Sequence, residues 1–220
     1  MYFVTNICYF CDKINELIME FSIENRVLEK IKKAKRGTLL FGQNFVSEGS
    51  NDAIRKSLER LVKKDEIERV ATGIYIRPEI DPIVGKVPPS IESIVKAIAK
   101  RDKARVIPTG VTALNKLGLS TQVPMKFVYL TDGSSRNIQI DGRSILFKRT
   151  SPKNVATIGE ISTLVIQALR VIGKEKVSQE HIEKIQTLLQ HEKKAHLEHD
   201  IHLAPEWIKE IMKPTLQFSK

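Results

Sequence analysis

The segment from Gly49 to Pro78, GSNDAIRKSLERLVKKDEIERVATGIYIRP, constrains this chain more than any other, because a helical apolar pattern gives way at once to a tight hairpin. Ile54, Leu58, Leu61 and Val62 fall at i, i+4, i+7 and i+8, which makes one apolar stripe of a helix. Ser50 stands where an N-cap belongs, and Asp52 falls in the first turn, where a carboxylate suits the positive end of the helix dipole. The other side carries Arg55, Lys56, Glu59, Arg60, Lys63 and Lys64. Residues 67–70 and 74–77 read as strands around Ala71-Thr72-Gly73, with Gly73 free to take the positive φ of a tight turn. A basic helix with a basic hairpin behind it is how a winged helix-turn-helix presents itself to DNA. The plainer reading is a helix-and-hairpin corner with a solvated charged face.

The residues upstream extend the pattern. Ser22 caps a predicted helix in which Ile23, Val27, Leu28, Ile31 and Ala34 share a face, and Lys32, Lys33, Lys35 and Arg36 end it before Gly37. Residues 38–41 read as a short strand, and 42–48 as a brief second helix with Phe45 and Val46 facing inward. Helix, strand, short helix, helix and hairpin are the order of a winged helix-turn-helix, expected over residues 22–80. Residues 1–21 are expected to be a leader or an extra helix. Residues 81–89, with Pro82, Gly85, Pro88 and Pro89, are expected to be a linker.

Charge enters here because its distribution matters more than its total of +10. Residues 22–78 hold 13 basic and 8 acidic residues, 88–155 hold 12 and 4, and 156–220 hold 9 of each. Two basic blocks therefore precede a balanced C-terminal third, which suits a polyanion or an acidic protein partner. No apolar run reaches the roughly 18 residues of a membrane span, and the N-terminus lacks the basic n-region of a signal peptide. Cys8 and Cys11 are the only cysteines. They supply half of a structural zinc site and read as incidental thiols in a reducing cytoplasm.

Residues 90–220 are expected to form a mixed α+β C-terminal domain with a small antiparallel sheet and a helical last third. Ile91, Ile94, Val95 and Ile98 mark its first helix. Residues 105–108 and 126–131 read as strands, and a hairpin is centred on Asp141-Gly142. Arg101, Lys103, Arg105, Arg136, Arg143, Lys148, Arg149 and Lys153 lie in or beside these elements and suggest a second basic surface, facing DNA or an acidic protein.

Chemistry-bearing patterns are sparse. His191, His196, His199 and His202 stand near Glu192, Glu198 and Asp200, but the spacing of five between the first two swings the second ring about 140° around a helix. A solvated polar helix is expected there, and no metal. Asp132-Gly133-Ser134-Ser135-Arg136 lacks the Gly-Lys-Ser/Thr ending of a P-loop and reads as a β-turn. Asp132 and Asp141 form a carboxylate pair only if folding brings them together. No Ser-His-Asp arrangement is present, so the chain is expected to be neither an enzyme nor a cofactor carrier.

Several longer strings carry a family resemblance. RVIPTGVTALNKLGLSTQVPMKFVYLTDGSSRNIQI and ILFKRTSPKN resemble the second domain of AbiEi-type antitoxins from bacterial abortive-infection systems. SIENRVLEKIKKAKRGTLLF and ERVATGIYIRP are similar to the winged helix of an uncharacterised branch of that family, and LAPEWI matches its ending. The resemblance spans roughly residues 20–216. It implies a repressor that binds its own promoter DNA through the winged helix. It also implies a C-terminal antitoxin domain partnered with a nucleotidyltransferase-like toxin encoded nearby. On this reading Ser50, Asn51, Arg55 and Lys56 reach base edges, and Arg60, Lys63 and Lys64 meet phosphates. Arg69 and Thr72 on the wing touch the adjacent groove or backbone.

Overall fold

The computed structural model describes residues 22–217 except Val123 and Asp141. The readings placed on residues 1–21, on Cys8 and Cys11 and on Asp141 lie outside the described residues. The architecture is mixed α+β, in two compact units, Met1–Ser90 and Ile91–Lys220.

In the first unit, α1 (Ile23–Lys33) starts where Ser22 Oγ accepts the Asn25 N–H at 3.1 Å, and it buries Val27 and Ile31 completely. Strand β1 (Leu39–Phe41) follows, then a 3-10 segment, Gly42–Glu48. Phe45 enters the core from this segment, but Val46, also expected inside, is 59% exposed. A 3-10 turn separates neighbouring side chains by about 120°, so one inward face cannot take both. Helix α2 (Asn51–Lys63) begins with Ser50 Oγ accepting the Ala53 N–H at 3.4 Å. Ile54, Leu58 and Leu61 are buried as the stripe requires, and Val62 is half-buried.

Strands β2 (Glu68–Ala71) and β3 (Ile74–Ile76) form the hairpin, and Gly73 takes φ +72 at its turn. The register jumps between Arg69 and Ala71, which leaves Val70 as a bulge and adds local twist. The sheet order is β1-β3-β2, with both pairings antiparallel. Val27, Ile31, Leu40, Phe45, Ile54, Leu58, Leu61, Ile67 and Tyr75 form one core beneath it.

The expected linker contains structure. Strands β4 (Glu79–Asp81) and β5 (Gly85–Val87) pair antiparallel. Asp81 Oδ1 accepts the N–H groups of Ile83 (2.8 Å) and Val84 (3.0 Å), and Gly85 takes φ +76. Pro and Gly punctuate tight turns as well as linkers, and here the turn closes on itself. Lys86 anchors the hairpin to Glu68 at 2.8 Å.

The second unit opens with α3 (Ile91–Asp102), which buries Ile94, Val95 and Ile98. β6 (Val106–Thr109), α4 (Val111–Lys116), β7 (Lys126–Thr131), β8 (Arg136–Ile140) and β9 (Arg143–Arg149) follow. The sheet order is β6-β7-β9-β8. The outer pairings are antiparallel as expected, but the central one, β7 with β9, is parallel. Its cause is chemical. β9 brings Ile145 and Phe147 against Phe127 and Tyr129, whereas β8 alternates with polar Asn137 and Gln139 and suits an edge. With β8 at the edge, the returning strand β9 runs in the same direction as β7.

The last third is helical, as expected: α5 (Glu160–Ile172), α6 (Gln179–Leu189), α7 (Lys194–Leu203) and α8 (Glu206–Met212). Val165, Ala168, Leu169, Ile185, Leu189, Leu197, Ile208 and Met212 pack together with almost no exposure. No helix among the described residues is long and apolar enough to cross a membrane.

Candidate nucleic-acid interface

Helix α2 and the β2–β3 hairpin carry every residue assigned to DNA contact in the sequence. Ser50, Asn51, Arg55, Lys56, Arg60, Lys63, Lys64, Arg69 and Thr72 are all exposed. At about 100° per residue, Lys56 and Lys63 lie within about 20° of each other around the helix, at the middle of its polar face. Their availability differs. Arg55 stands 3.6 Å from Asp52, one turn back. Arg60 (3.4 Å) and Lys64 are both held by Glu24 of α1. The side chains of Lys56, Lys63 and Arg69 have no ion-pair or hydrogen-bonding partner among the described residues.

The Glu24 clasp was not visible in the sequence. An acid in the first turn of α1 reads locally as a dipole partner, and the contact to Lys64 spans 40 residues. The hydrogen bond from Lys64, with a further one from Arg60, holds the Glu24 carboxyl below its ordinary value of 4.5. The clasp lies at a cleft of about 400 Å³ between α1 and α2, lined by Ser22, Asn25, Lys56 and Ser57 among others.

In the second unit the register divides the expected basic surface. Val106 pairs with Thr131, and Thr131 with Arg149, so Arg105, Arg149 and Lys148 gather at one end of the sheet. Arg136 and Arg101 join that end, both on Asp102, with Arg101 Nε at 2.8 Å. Lys103, at φ +51, leads into it. Arg143 pairs with Ile140 at the opposite end, about 20 Å away along β9. Lys153 follows, exposed, in a 3-10 segment, Pro152–Val155, whose Val155 is buried.

The same register sorts the faces. Tyr129, Thr131, Ile140, Ile145 and Phe147 are buried on one face, with the Tyr129 and Phe147 rings stacked at 6.0 Å. Burial, with a lesser push from the Glu92 carboxylate, raises the Tyr129 hydroxyl to about 12. The other face of β7, β8 and β9 presents Lys126, Val128, Leu130, Asn137, Gln139, Ser144, Leu146 and Lys148, none of them buried. Lys126 was missed in the sequence set, although the alternation Lys126-Val128-Leu130 signals it.

The late acidic and histidine residues do structural work. Gly159, the N-cap of α5, has no side chain to cap with. Asp200 supplies one instead. It is fully buried and accepts the N–H groups of Ile158 and Gly159, both at 2.9 Å, and the Ser162 hydroxyl. Glu192 accepts the N–H groups of Ile161 (2.7 Å) and Ser162 (3.1 Å). Gly159, Ile161 and Ser162 are three of the four amides that this helix start leaves unpaired, and Ile158 just precedes them. His199 Nδ1 lies 2.8 Å from Asp200, and His196 Nδ1 lies 3.8 Å from Glu192. The expected solvated face therefore holds for His191, Glu198 and His202, but not for the two carboxylates.

A cleft of about 480 Å³ also opens in the second unit, lined by Glu92, Val95, Lys96, Lys116, Tyr129 and the start of α5. Lys116 closes an ion pair with Glu92 across it.

Among solved structures, the chain is similar to the RV2827C protein from Mycobacterium tuberculosis. The identity is 11% and the TM-score 0.43, over 90% of this chain and 82% of that one. No curated protein matches the sequence. The model of a family of unknown function (DUF6088) matches residues 26–197, and since that is most of its length, the chain belongs to this family.

Proposed function

We propose that this protein is a sequence-specific, duplex-DNA-binding transcriptional repressor whose first unit is a winged helix-turn-helix. In this reading α2 is the recognition helix and β2–β3 the wing. The observation that carries it is the exposure of Lys56, Lys63 and Arg69, uncommitted to any described partner, on a capped helix and a glycine-turned hairpin of one small unit. Ser50, Asn51, Arg55 and Lys56 at the start of α2 are then the base readers, and Arg60, Lys63 and Lys64 the phosphate contacts.

The antitoxin half of the reading rests on the sequence resemblance to AbiEi-type proteins. It makes a nucleotidyltransferase-like toxin, encoded beside this gene, the partner of the second unit, and it has the repressor act on its own operon in the cytoplasm. The second reading is a protein-interaction module whose winged helix does not read DNA. The Glu24 clasp favours it, because it takes Arg60 and Lys64 partly out of phosphate contact.

Gel shifts and footprinting on the upstream promoter, against a scrambled duplex, decide between them. A repressor protects a defined site. Arg55→Ala relaxes its preference for that site, and Lys63→Ala weakens both duplexes about equally. Binding to neither duplex, with unchanged association to a protein partner at high salt, would establish the interaction module instead.

A further inference from the structure

We propose that the exposed part of one face of the second unit's sheet, over β7, β8 and β9, is an additional contact for the phosphate backbone of duplex DNA, made by Lys126 and Lys148 with Arg105 at the sheet's end. This inference rests on the DNA-binding reading above and extends it to a surface outside the winged helix.

The placement follows from register. Lys126 pairs with Ser144 and Lys148 with Leu130, so both lysines project from the same face of adjacent parallel strands. They stand about 13 Å apart along the strands, a separation close to the ~12 Å width of the major groove. Arg105 enters the sheet at the Lys148 end, next to the Val106–Thr131 pair. All three are exposed, and their charged head groups have no partner among the described residues, although the Arg105 backbone N–H is held by Asp132 Oδ1 at 2.8 Å. The contrast with Arg101 and Arg136 is instructive, because Asp102 holds both. Among the described residues, no acid stands on this face within β7, β8 and β9, and Asp132 follows β7 beside Arg105.

The chemistry of the face selects the ligand. Its neutral polar groups, Asn137 and Gln139, are hydrogen-bonding side chains of the kind that meet phosphate and sugar. It has no aromatic ring: Tyr129 and Phe147 stack on the opposite, buried face. A sheet that grips unpaired nucleic acid does so by stacking bases on exposed rings, so this one suits a duplex backbone. A protein partner fits less well, since interface cores are depleted in lysine and here lysines flank only three half-buried aliphatic residues, Val128, Leu130 and Leu146.

The test uses the full chain and two duplexes, the upstream promoter and a scrambled sequence, over a salt series. Each phosphate contact adds about 0.9 to the slope of log affinity against log salt. The triple variant Arg105→Ala/Lys126→Ala/Lys148→Ala is expected to lower that slope by about 2 to 3. It should weaken both duplexes and leave the preference between them unchanged. The charge-keeping variant Lys126→Arg/Lys148→Arg is expected to retain the slope, and matched thermal melts separate lost contacts from lost folding. If the wild type binds the promoter and the well-folded triple variant keeps its full slope, the second contact is wrong while the repressor reading stands. If the variant changes only single-stranded binding, the duplex assignment is likewise overturned. If the wild type binds no duplex, both readings fail together.

Discussion

Gly159 shows how one missing side chain organises a neighbourhood. Its φ of −79 suits any residue, so the requirement is one of space. A Cβ there would collide with Ser162 Oγ and lie 2.6 Å from Glu192 Oε2. Gly159→Ala is therefore expected to destabilise the second unit by about 1 to 3 kcal/mol, the usual cost of overpacking a filled site, measured by urea unfolding. Asp200→Ala removes the cap without crowding it. It strands two amides near the protein interior and should cost about 2 kcal/mol or more by the same measurement. An unfolding midpoint unchanged in both variants would mean that the paired carboxylates are incidental. Gly73 is the opposite kind of glycine. Its φ of +72 is the reason for it, and nothing crowds its Cβ position.

At the scale of elements, the contact between α1 and α2 is tied to pH through Glu24. Its carboxyl is held below the ordinary value by the Lys64 and Arg60 contacts. The stabilisation is therefore complete above pH 4.5 and fades as the pH falls through the lowered folded value. Acid titration of the full chain should show the α1–α2 contact loosening below that point, and Glu24→Gln should remove this part of the profile. The same substitution releases two cations on the proposed recognition helix. Duplex affinity is then expected to rise at low salt, with a salt slope steeper by about 1 to 2. A flat response in the gel shift would show that Arg60 and Lys64 do not face DNA. The elements that could be read in the sequence share a short reach. The Ser50 cap, the Ile54–Leu61 stripe and the Gly73 turn each depend on residues a few positions apart. The β4–β5 hairpin was hidden because Pro82 and Gly85 mark a turn and a linker alike. The parallel β7–β9 pairing was hidden because only the edge preference of β8, a tertiary matter, decides it.

On the scale of the molecule, the two units divide the basic charge between them, and the sequence already showed that the larger excess lies in residues 88–155. It did not show which cations act together. Strand register did that, sending Arg143 to one end of the sheet and Arg105, Lys148 and Arg149 to the other. The residues proposed to meet DNA in the first unit were easier to name because one helix, with its cap, and one hairpin hold them all. The helical third was legible as helices, while the roles of Glu192 and Asp200 were not, because each meets amides 30 to 42 residues earlier. That distance also bears on biosynthesis. The start of α5 leaves the ribosome well before the carboxylates that complete it, so its first turn waits for the chain to reach residue 200. A released fragment ending at residue 190 should expose the 158–162 amides to rapid hydrogen exchange, and the full chain should protect them. The order of synthesis thus runs opposite to the order in which this helix is finished.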